Sequence, residues 1–274
     1  MMRSPIVSPE LLAMLRRLRL GHLADTLPER LVLADKQSMP HQDFLLMILS
    51  EEVNRRDSCA IQNRIHEARL DPSMTLDRFD ASAKIVYDKR LYAELSTLRF
   101  IQMRKHVIVL GPVGVGKTFL GSSLGHIACE QGYHVRFIRT DEMLRKLRGS
   151  RLDNSRDALM VELTTVDLLI IDDFALEPMS RDESKDVYQL FVERTDRAST
   201  IVTSNRDTSE WLAMFDDVLQ AQSAVDRFKN AAYDLVIEGE SYRPRLKPKP
   251  DPSAELSTIA VPAPKARGRR SRKR

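Results

Sequence analysis

Residues 111–118 have the types and spacing of a loop that binds phosphate groups. They read Gly-Pro-Val-Gly-Val-Gly-Lys-Thr, which fits the pattern G-x-x-x-x-G-K-[ST]. The glycines let backbone N–H groups point at phosphate oxygens, the lysine places a positive charge on the β- and γ-phosphates, and the threonine hydroxyl is a Mg²⁺ ligand. An apolar run at 107–110 and a helix-compatible stretch at 117–131 supply the strand–loop–helix context that the motif requires. We therefore predict a nucleotide site formed by Gly111, Pro112, Val113, Gly114, Val115, Gly116, Lys117, Thr118 and Phe119.

A second apolar strand ends in two acids. Residues 168–171 are Leu-Leu-Ile-Ile, and Asp172 and Asp173 follow them. Buried parallel strands read as continuous apolar runs, and ligands bind at their carboxyl ends. We expect Asp172 to hold a magnesium ion and Asp173 to orient or deprotonate an attacking water. A solvated strand end is the alternative interpretation.

Two further side chains are candidates for contact with the phosphates. Asn205 follows a strand predicted at 199–204, and its amide could reach the γ-phosphate or the water; an asparagine in a turn is the alternative. Arg227 lies on a helix predicted at 221–231. An arginine there could stabilise the phosphate held by a neighbouring subunit, or could form an ordinary surface ion pair.

The order of elements predicts an α/β fold, a parallel sheet with helices on both faces. Strands are predicted at 106–110, 134–139, 167–172, 199–204 and 233–238, and helices at 117–131, 140–149, 155–164, 182–196 and 221–231. The first 75 or so residues read as helical, with Ser8-Pro9 as a helix start and a longer helix from about 41 to 70. On that longer helix, we expect the face that packs into the core to consist of Phe44, Leu45, Ile48, Leu49 and Val53.

The net charge of +4 is unevenly distributed along the chain. Residues 265–274 hold seven basic residues and no acid, so the rest carries 4 − 7 = −3. This block follows a proline-rich segment and is predicted to be disordered, either as a tether for nucleic acid or as a solvated tail. No apolar run reaches the roughly 20 residues that span a bilayer, and no secretory signal is apparent. We expect a cytoplasmic protein with no membrane partner.

Together these motifs resemble the AAA+ family of P-loop ATPases. The phosphate loop, the Asp-Asp strand, the strand ending in Thr-Ser-Asn and the Asp-Arg helix occur in the order typical of that family. The flanking segments resemble its IstB/DnaC-like branch, whose members are transposition helpers or replicative helicase loaders. Residues 18–25, 68–80 and 239–243 are similar to the opening, junction and closing segments of the helper, so the resemblance covers about residues 10–243.

The resemblance implies a role for each candidate residue. ATP and Mg²⁺ are the expected cofactors, with Thr118 and Asp172 as metal ligands. Asp173 takes the position of the catalytic glutamate, Asn205 that of the first sensor, and Arg227 that of a finger acting in trans. Aspartate is one methylene shorter than glutamate, so we expect slow hydrolysis that depends on oligomerisation. A full helical lid is missing from the pattern after the last strand, and Arg243 is a candidate for the second sensor.

The resemblance also implies a division of the chain. We expect a helical domain at 1–75 that contacts DNA, transposase or other copies, an AAA+ ATPase domain at 76–243, and a proline-rich basic tail at 244–274. The leading hypothesis is an ATP-bound homo-oligomer that assembles on and deforms duplex DNA with little sequence preference, recruits a cognate transposase, and uses hydrolysis to set the lifetime of the assembly. A basic cluster, Arg145, Lys146, Arg148 and Arg151, is either a DNA contact or a solvated helix face.

Three other functions stay open. A DnaC-like helicase loader shares the ATPase core, although the version with an N-terminal zinc-binding cysteine cluster is disfavoured because Cys59 is the only cysteine in the first 100 residues. A small-molecule P-loop kinase would need an arginine-bearing lid that the sequence does not show. A nucleotide-gated scaffold without turnover is compatible with Asp173.

Overall fold

A computed structural model describes residues 7–80, 82 and 84–243 of the chain. Its first part contains three helices: α1 (Pro9–Arg17), α2 (Gly21–Gln37) and α3 (His41–Ala68). Ser8 caps α1 as predicted, since its hydroxyl accepts a hydrogen bond from the Leu11 backbone N–H at 3.2 Å. The basic tail at 244–274 lies outside the described residues, so its disorder stays a prediction.

The part of the chain that follows these three helices forms a sheet of six strands with further helices packed against it. The strands are β1 (Ile85–Tyr87), β2 (His106–Leu110), β3 (Val135–Arg139), β4 (Leu168–Phe174), β5 (Ser199–Ser204) and β6 (Ala232–Gly239). The helices are α4 (Lys89–Ser96), α5 (Arg99–Gln102), α6 (Lys117–Glu130), α7 (Thr140–Ser150), α8 (Arg156–Thr165), α9 (Arg181–Arg194), α10 (Thr208–Trp211) and α11 (Val218–Asn230). Short 3₁₀ turns occur at Leu76–Arg78 and Leu212–Met214.

The strand order is β1-β6-β2-β5-β4-β3. Strands β2 to β6 are parallel to their neighbours, as predicted, whereas the unpredicted β1 pairs antiparallel with β6 at the edge. Parallel strands bring their carboxyl ends to one edge of the sheet. The phosphate loop after β2, the acids at the end of β4 and the polar end of β5 therefore share that edge.

Each central strand contributes to two hydrophobic layers, one on each face of the sheet. Val107 and Val109 of β2 pack with Leu120 and Leu124 of α6, whereas Ile108 belongs to the layer under α9 and α11. This alternation explains the continuous apolar runs, because every residue of a strand covered on both faces is buried. The sheet thereby becomes a rigid support for the loops at its edge.

The N-terminal helices are less buried than their apolar patterns predict. Their own small core consists of Leu15, Leu23, Leu27 and Ile48. The prediction that Leu45, Leu49 and Val53 are core residues is wrong, since they are 53%, 49% and 55% exposed. Helix α3 packs on α2, and Leu45, Leu46, Leu49 and Val53 in its first half are left exposed.

The second half of α3 belongs to the core of the sheet. Ile65, Ala68 and the following Leu70 join the layer that contains α6, and the Arg64 side chain donates to the Cys129 carbonyl at 2.8 Å. Helix α3 thus crosses most of the predicted N-terminal domain and ends against the hydrophobic core of the sheet. The predicted N-terminal segment therefore has a small core of its own and also contributes the end of α3 to the core of the sheet.

Candidate nucleotide site

The phosphate loop leaves no room for side chains at two of its glycines. Gly111 and Gly114 have φ values of 153° and 86°. A Cβ on Gly111 would lie 2.3 Å from the Ile237 carbonyl oxygen, and one on Gly114 would lie 2.2 Å from Ser241 Oγ. Glycine is required here by the left-handed backbone and by the close approach of β6 and the segment after it.

Lys117 opens α6 with its side chain folded back over the loop. Its Nζ donates to the Pro112 carbonyl oxygen at 2.8 Å, and the residue is 6% exposed. Burial lowers the pKa of this lysine, and the nearby carboxylates of Asp172 and Asp173 oppose that shift. The ammonium stands at the helix N-terminus, where the backbone dipole also favours an anion.

Asp172 lies at the end of β4 and is held by two hydroxyls. Thr118 Oγ1 donates to it at 2.9 Å and Thr203 Oγ1 at 2.6 Å. Burial raises the pKa of Asp172, the two hydroxyl donors lower it, and the charge of Asp173 raises it further. A carboxylate and a hydroxyl in contact are oxygen ligands of the kind that magnesium takes. Thr118 and Asp172 therefore fit the predicted metal site.

Asp173 stands at an irregularity between β4 and β5. The pairing register shifts between Ile171 and Phe174, and Asp173 has a φ of 56°. Such an irregularity breaks the regular alternation of the strand and re-aims a side chain. Asp172 consequently faces Thr118, whereas the Asp173 side chain is 32% exposed and faces Arg139 Nη2 at 3.7 Å. Asp173 remains accessible to water, as activation of a water molecule requires.

Sequence reasoning missed the residues that hold the two acids. Thr203 also accepts a hydrogen bond from the Asp173 backbone N–H at 3.0 Å, and Thr140 Oγ1 donates to the Asp172 carbonyl at 2.9 Å. Arg139 closes the carboxyl end of β3 and pairs with Asp173 and Asp141. All three lie at or just beyond the carboxyl ends of strands, which is the signal that could have identified them.

The structure places Asn205 and Arg227 differently with respect to this cluster. Asn205 follows β5, whose last residue, Ser204, pairs with Leu110 directly before the phosphate loop. It is half-buried, and no hydrogen bond of its amide is found among the described residues. Arg227 is exposed near the end of α11, and the next residues lead to Ala231, whose carbonyl bonds to the start of β2. Arg227 thus lies toward the opposite edge of the sheet and is not brought to its own chain's phosphate loop.

An apolar pocket of about 410 Å³, counting space open to solvent, adjoins the phosphate loop. The Phe79 and Phe119 rings lie next to each other in its wall, with centroids 5.6 Å apart and planes inclined at 53°. Among the residues that line this pocket, the sequence predicted a nucleotide-binding role only for those of the phosphate loop and for Phe119. The residues that line the pocket are Arg78, Phe79, Asp80, Ile85, Val115, Gly116, Phe119 and Tyr242.

The basic cluster of α7 is largely matched by acids. Lys146 pairs with Glu142 at 2.6 Å, Arg148 with Glu183 at 3.7 Å and Arg151 with Asp186 at 2.7 Å. Each pair reduces the positive potential available to a nucleic acid. This finding favours the solvated-face interpretation of the cluster over the DNA contact.

None of the helices in the described ranges is long and apolar enough to cross a bilayer. Across the same residues, no cluster of three or more histidine, cysteine or acidic side chains is arranged to hold a metal ion. The magnesium ligands proposed above are one hydroxyl and one carboxylate, which is fewer side chains than such a cluster contains.

Sequence comparison matches most of the chain to one family. Residues 13–250 match the family model described as IstB-like ATP binding protein. An insertion-sequence ATP-binding protein of Mycobacterium tuberculosis is 35% identical over 247 residues, which cover 89% of this chain and 97% of that protein. The ATP-binding protein of insertion sequence IS21 from Pseudomonas aeruginosa is 34% identical over 240 residues, covering 88% and 91%.

Superposition on solved structures identifies proteins with a similar fold. A replication initiator DnaA bound to AMPPCP and single-stranded DNA superposes with a TM-score of 0.51 at 22% identity, covering 62% of this chain and 51% of that one. The DnaC helicase loader superposes with a TM-score of 0.51 at 18% identity, covering 61% and 97%. These superpositions confirm the predicted fold, a parallel-sheet α/β core with a phosphate loop, for the part of the chain that they cover.

Proposed function

We propose that this chain, which belongs to the family of IstB-like ATP-binding proteins, is the ATP-dependent helper of an insertion-sequence transposase. The observation that carries the proposal is the contact between the two nucleotide motifs. Thr118, at the start of α6, and Asp172, at the end of β4, meet at 2.9 Å beside the Lys117 side chain. This arrangement joins a phosphate-binding loop to a metal-binding carboxylate.

ATP binding follows from the chemistry of these groups. The backbone N–H groups of 111–117 and the Lys117 ammonium would bind the triphosphate, and Thr118 and Asp172 would hold Mg²⁺. When bound, the metal neutralises charge on the β- and γ-phosphates. The low exposure of Lys117 and Asp172 strengthens each electrostatic contact, because less water screens it.

Slow hydrolysis is the expected reaction. Asp173 would accept the proton of, or orient, the attacking water, and Asn205 would position the water or the γ-phosphate. The ion pair of Asp173 with Arg139 competes with that role, since the arginine occupies one oxygen of the carboxylate. Both this pair and the short aspartate side chain favour a low rate.

A neighbouring subunit would complete the site. Arg227 is exposed and lies away from its own phosphate loop, which suits an arginine that acts on the nucleotide of another copy. ATP would thereby link copies into a homo-oligomer. That oligomer would assemble on duplex DNA through phosphate contacts, including those of the basic tail, and would recruit the transposase of the same insertion sequence.

The test compares Lys117→Ala with Lys89→Ala, an exposed lysine of α4. Removal of the Lys117 ammonium should abolish ATP binding and ATP-dependent assembly on duplex DNA, whereas the control should keep both. Calorimetry would measure binding, and electron microscopy with a non-hydrolysable ATP analogue would reveal the assembly. Unchanged assembly of Lys117→Ala on DNA would refute the loop as its switch. A complex that forms only on a hexameric helicase would instead identify a loader.

A further inference from the structure

The end of the described chain lies directly against the phosphate loop. We call residues 239–243 the C-terminal strap. The Tyr242 backbone N–H donates to the Gly114 carbonyl at 2.8 Å, and Ser241 approaches Gly114 so closely that a Cβ there would lie 2.2 Å from its hydroxyl oxygen. The strap is therefore anchored to the loop by one main-chain hydrogen bond and by the close approach of Ser241, neither of which depends on the Tyr242 side chain.

The Tyr242 side chain forms one wall of the apolar pocket beside that loop. Its hydroxyl donates to Asp80 Oδ2 at 2.9 Å, and Asp80 Oδ1 accepts from the Ser82 backbone N–H at 2.8 Å. These bonds tie the strap to the segment before β1. The rings of Phe79 and Phe119 stand in the same pocket.

The pocket continues from the phosphate loop, because Val115 and Gly116 belong to both. A ligand whose phosphates lie on the loop would have its remaining part at or near this opening. The walls are aromatic and aliphatic, with few polar groups. A flat heteroaromatic base suits them, since every base offers a π-face to an aromatic ring.

We propose that Tyr242 closes the base subsite of this nucleotide site. The proposal rests on the proposed ATP binding and adds a specificity residue that lies outside both nucleotide motifs. The strap thereby supplies a cover for the base in a chain whose sequence pattern shows no full helical lid after the last strand. Loss of the ring should weaken binding of the base and leave binding of the phosphates unchanged.

The experiment uses the full chain with Mg²⁺ and two ligands, ATP and inorganic tripolyphosphate, with tripolyphosphate measured by its competition against labelled ATP. Tyr242→Ala should weaken ATP binding by about tenfold or more, within the range for loss of one base–aromatic stack. Its tripolyphosphate affinity should stay within about twofold of the wild type, because the strap's main-chain anchor is retained. Tyr242→Phe and Asp80→Asn keep the aromatic ring, so their affinity for ATP should fall by about threefold or less.

Three outcomes would overturn the inference. ATP binding by Tyr242→Ala at wild-type strength would show that the ring does not contact the base. Equal losses for ATP and tripolyphosphate would show that Tyr242 only holds the phosphate loop. A loss in Tyr242→Phe as large as in Tyr242→Ala would assign the effect to the hydroxyl. Failure of the wild type to bind ATP, or ATP binding by Lys117→Ala at wild-type strength, would instead refute the proposed function.

Discussion

Thr203 connects the two acids of the site, a role that the strand motif ending in Thr-Ser-Asn does not by itself predict. Its hydroxyl donates to Asp172 at 2.6 Å and accepts from the Asp173 backbone N–H at 3.0 Å. The hydroxyl thus uses its one donor and one of its two acceptor sites, and it fixes the orientation of Asp172 toward Thr118. The bond also lowers the pKa of Asp172, which burial raises.

We predict that Thr203→Val raises the pKa of Asp172, because the substitution removes the donor that lowers it. Metal binding needs the ionised carboxylate, so Mg²⁺-dependent ATP binding should be lost at a higher pH as the solution is acidified. At neutral pH the affinity should fall by roughly tenfold, the loss expected for one hydrogen bond to a charged group. Calorimetric titrations over a pH series would measure both effects.

Thr200→Val is the matched control for this change. Thr200 is a buried threonine of the same strand, but its hydroxyl accepts from Arg194 at the other end of β5. The control should lose Mg²⁺-dependent ATP binding at the same pH as the wild type when the solution is acidified. Loss of ATP binding at the same pH in Thr203→Val and in the wild type would contradict the role given to the Thr203 bond in lowering the pKa of Asp172.

At the scale of elements, α6 determines how closely the phosphate loop approaches the sheet. Gly125, in the middle of α6, lets the helix lie on β4 and on Leu70, since a Cβ there would be 2.7 Å from Ile170 Cδ1 and 3.1 Å from Leu70 Cδ2. His126 of the same helix bonds to the Asp71 carbonyl at 2.9 Å. The helix that begins with Lys117 is therefore packed against the residues that follow α3.

We predict that Gly125→Val lowers the free energy of unfolding by about 1–3 kcal/mol, the usual cost of overpacking a core. Gly149→Val is the control, since Gly149 lies in α7 and a Cβ there meets no atom within 4 Å. Its effect should stay within about 0.5 kcal/mol, because valine and glycine differ little in helix propensity. Urea unfolding would measure both, and equal effects of the two substitutions would contradict the packing described for α6.

The parallel core and the Lys117, Thr118 and Asp172 cluster could be predicted because their signals are local. A phosphate loop is a continuous motif, and a strand covered on both faces is a continuous apolar run. Strand β1 escaped prediction because three residues carry no recognisable period. Thr203, Arg139 and Tyr242 escaped it because their partners lie far away in sequence, at Asp172, Asp173 and Asp80.

At the scale of the whole molecule, the nucleotide site and Arg227 lie toward opposite edges of one sheet. Arg227 sits beside Phe228, whose ring is buried and stacks on His106 at 4.4 Å and on Phe191 at 4.5 Å. These stacks fix the end of α11 at the amino edge. A site completed by Arg227 must therefore be shared between copies.

We predict that the ATPase rate per subunit rises with protein concentration and that added Arg227→Ala subunits depress the rate of wild-type subunits. Added Lys229→Ala subunits, which lack an exposed cation on the same helix, should leave that rate unchanged. Steady-state phosphate release over a dilution series would measure both. A rate per subunit that is independent of concentration would count against action in trans.

Helix α3 is long enough for a small tilt at one of its ends to displace the other end by several ångströms. Its 28 residues extend for about 42 Å, a length comparable to the diameter of a domain. One end is clamped beside α6, and the other carries the small N-terminal core with its uncovered leucines. A tilt of about 10° at the clamped end would displace the far end by about 7 Å, given that length. A sub-ångström adjustment around the nucleotide could thus become a movement as large as a side chain at the opposite end of the protein.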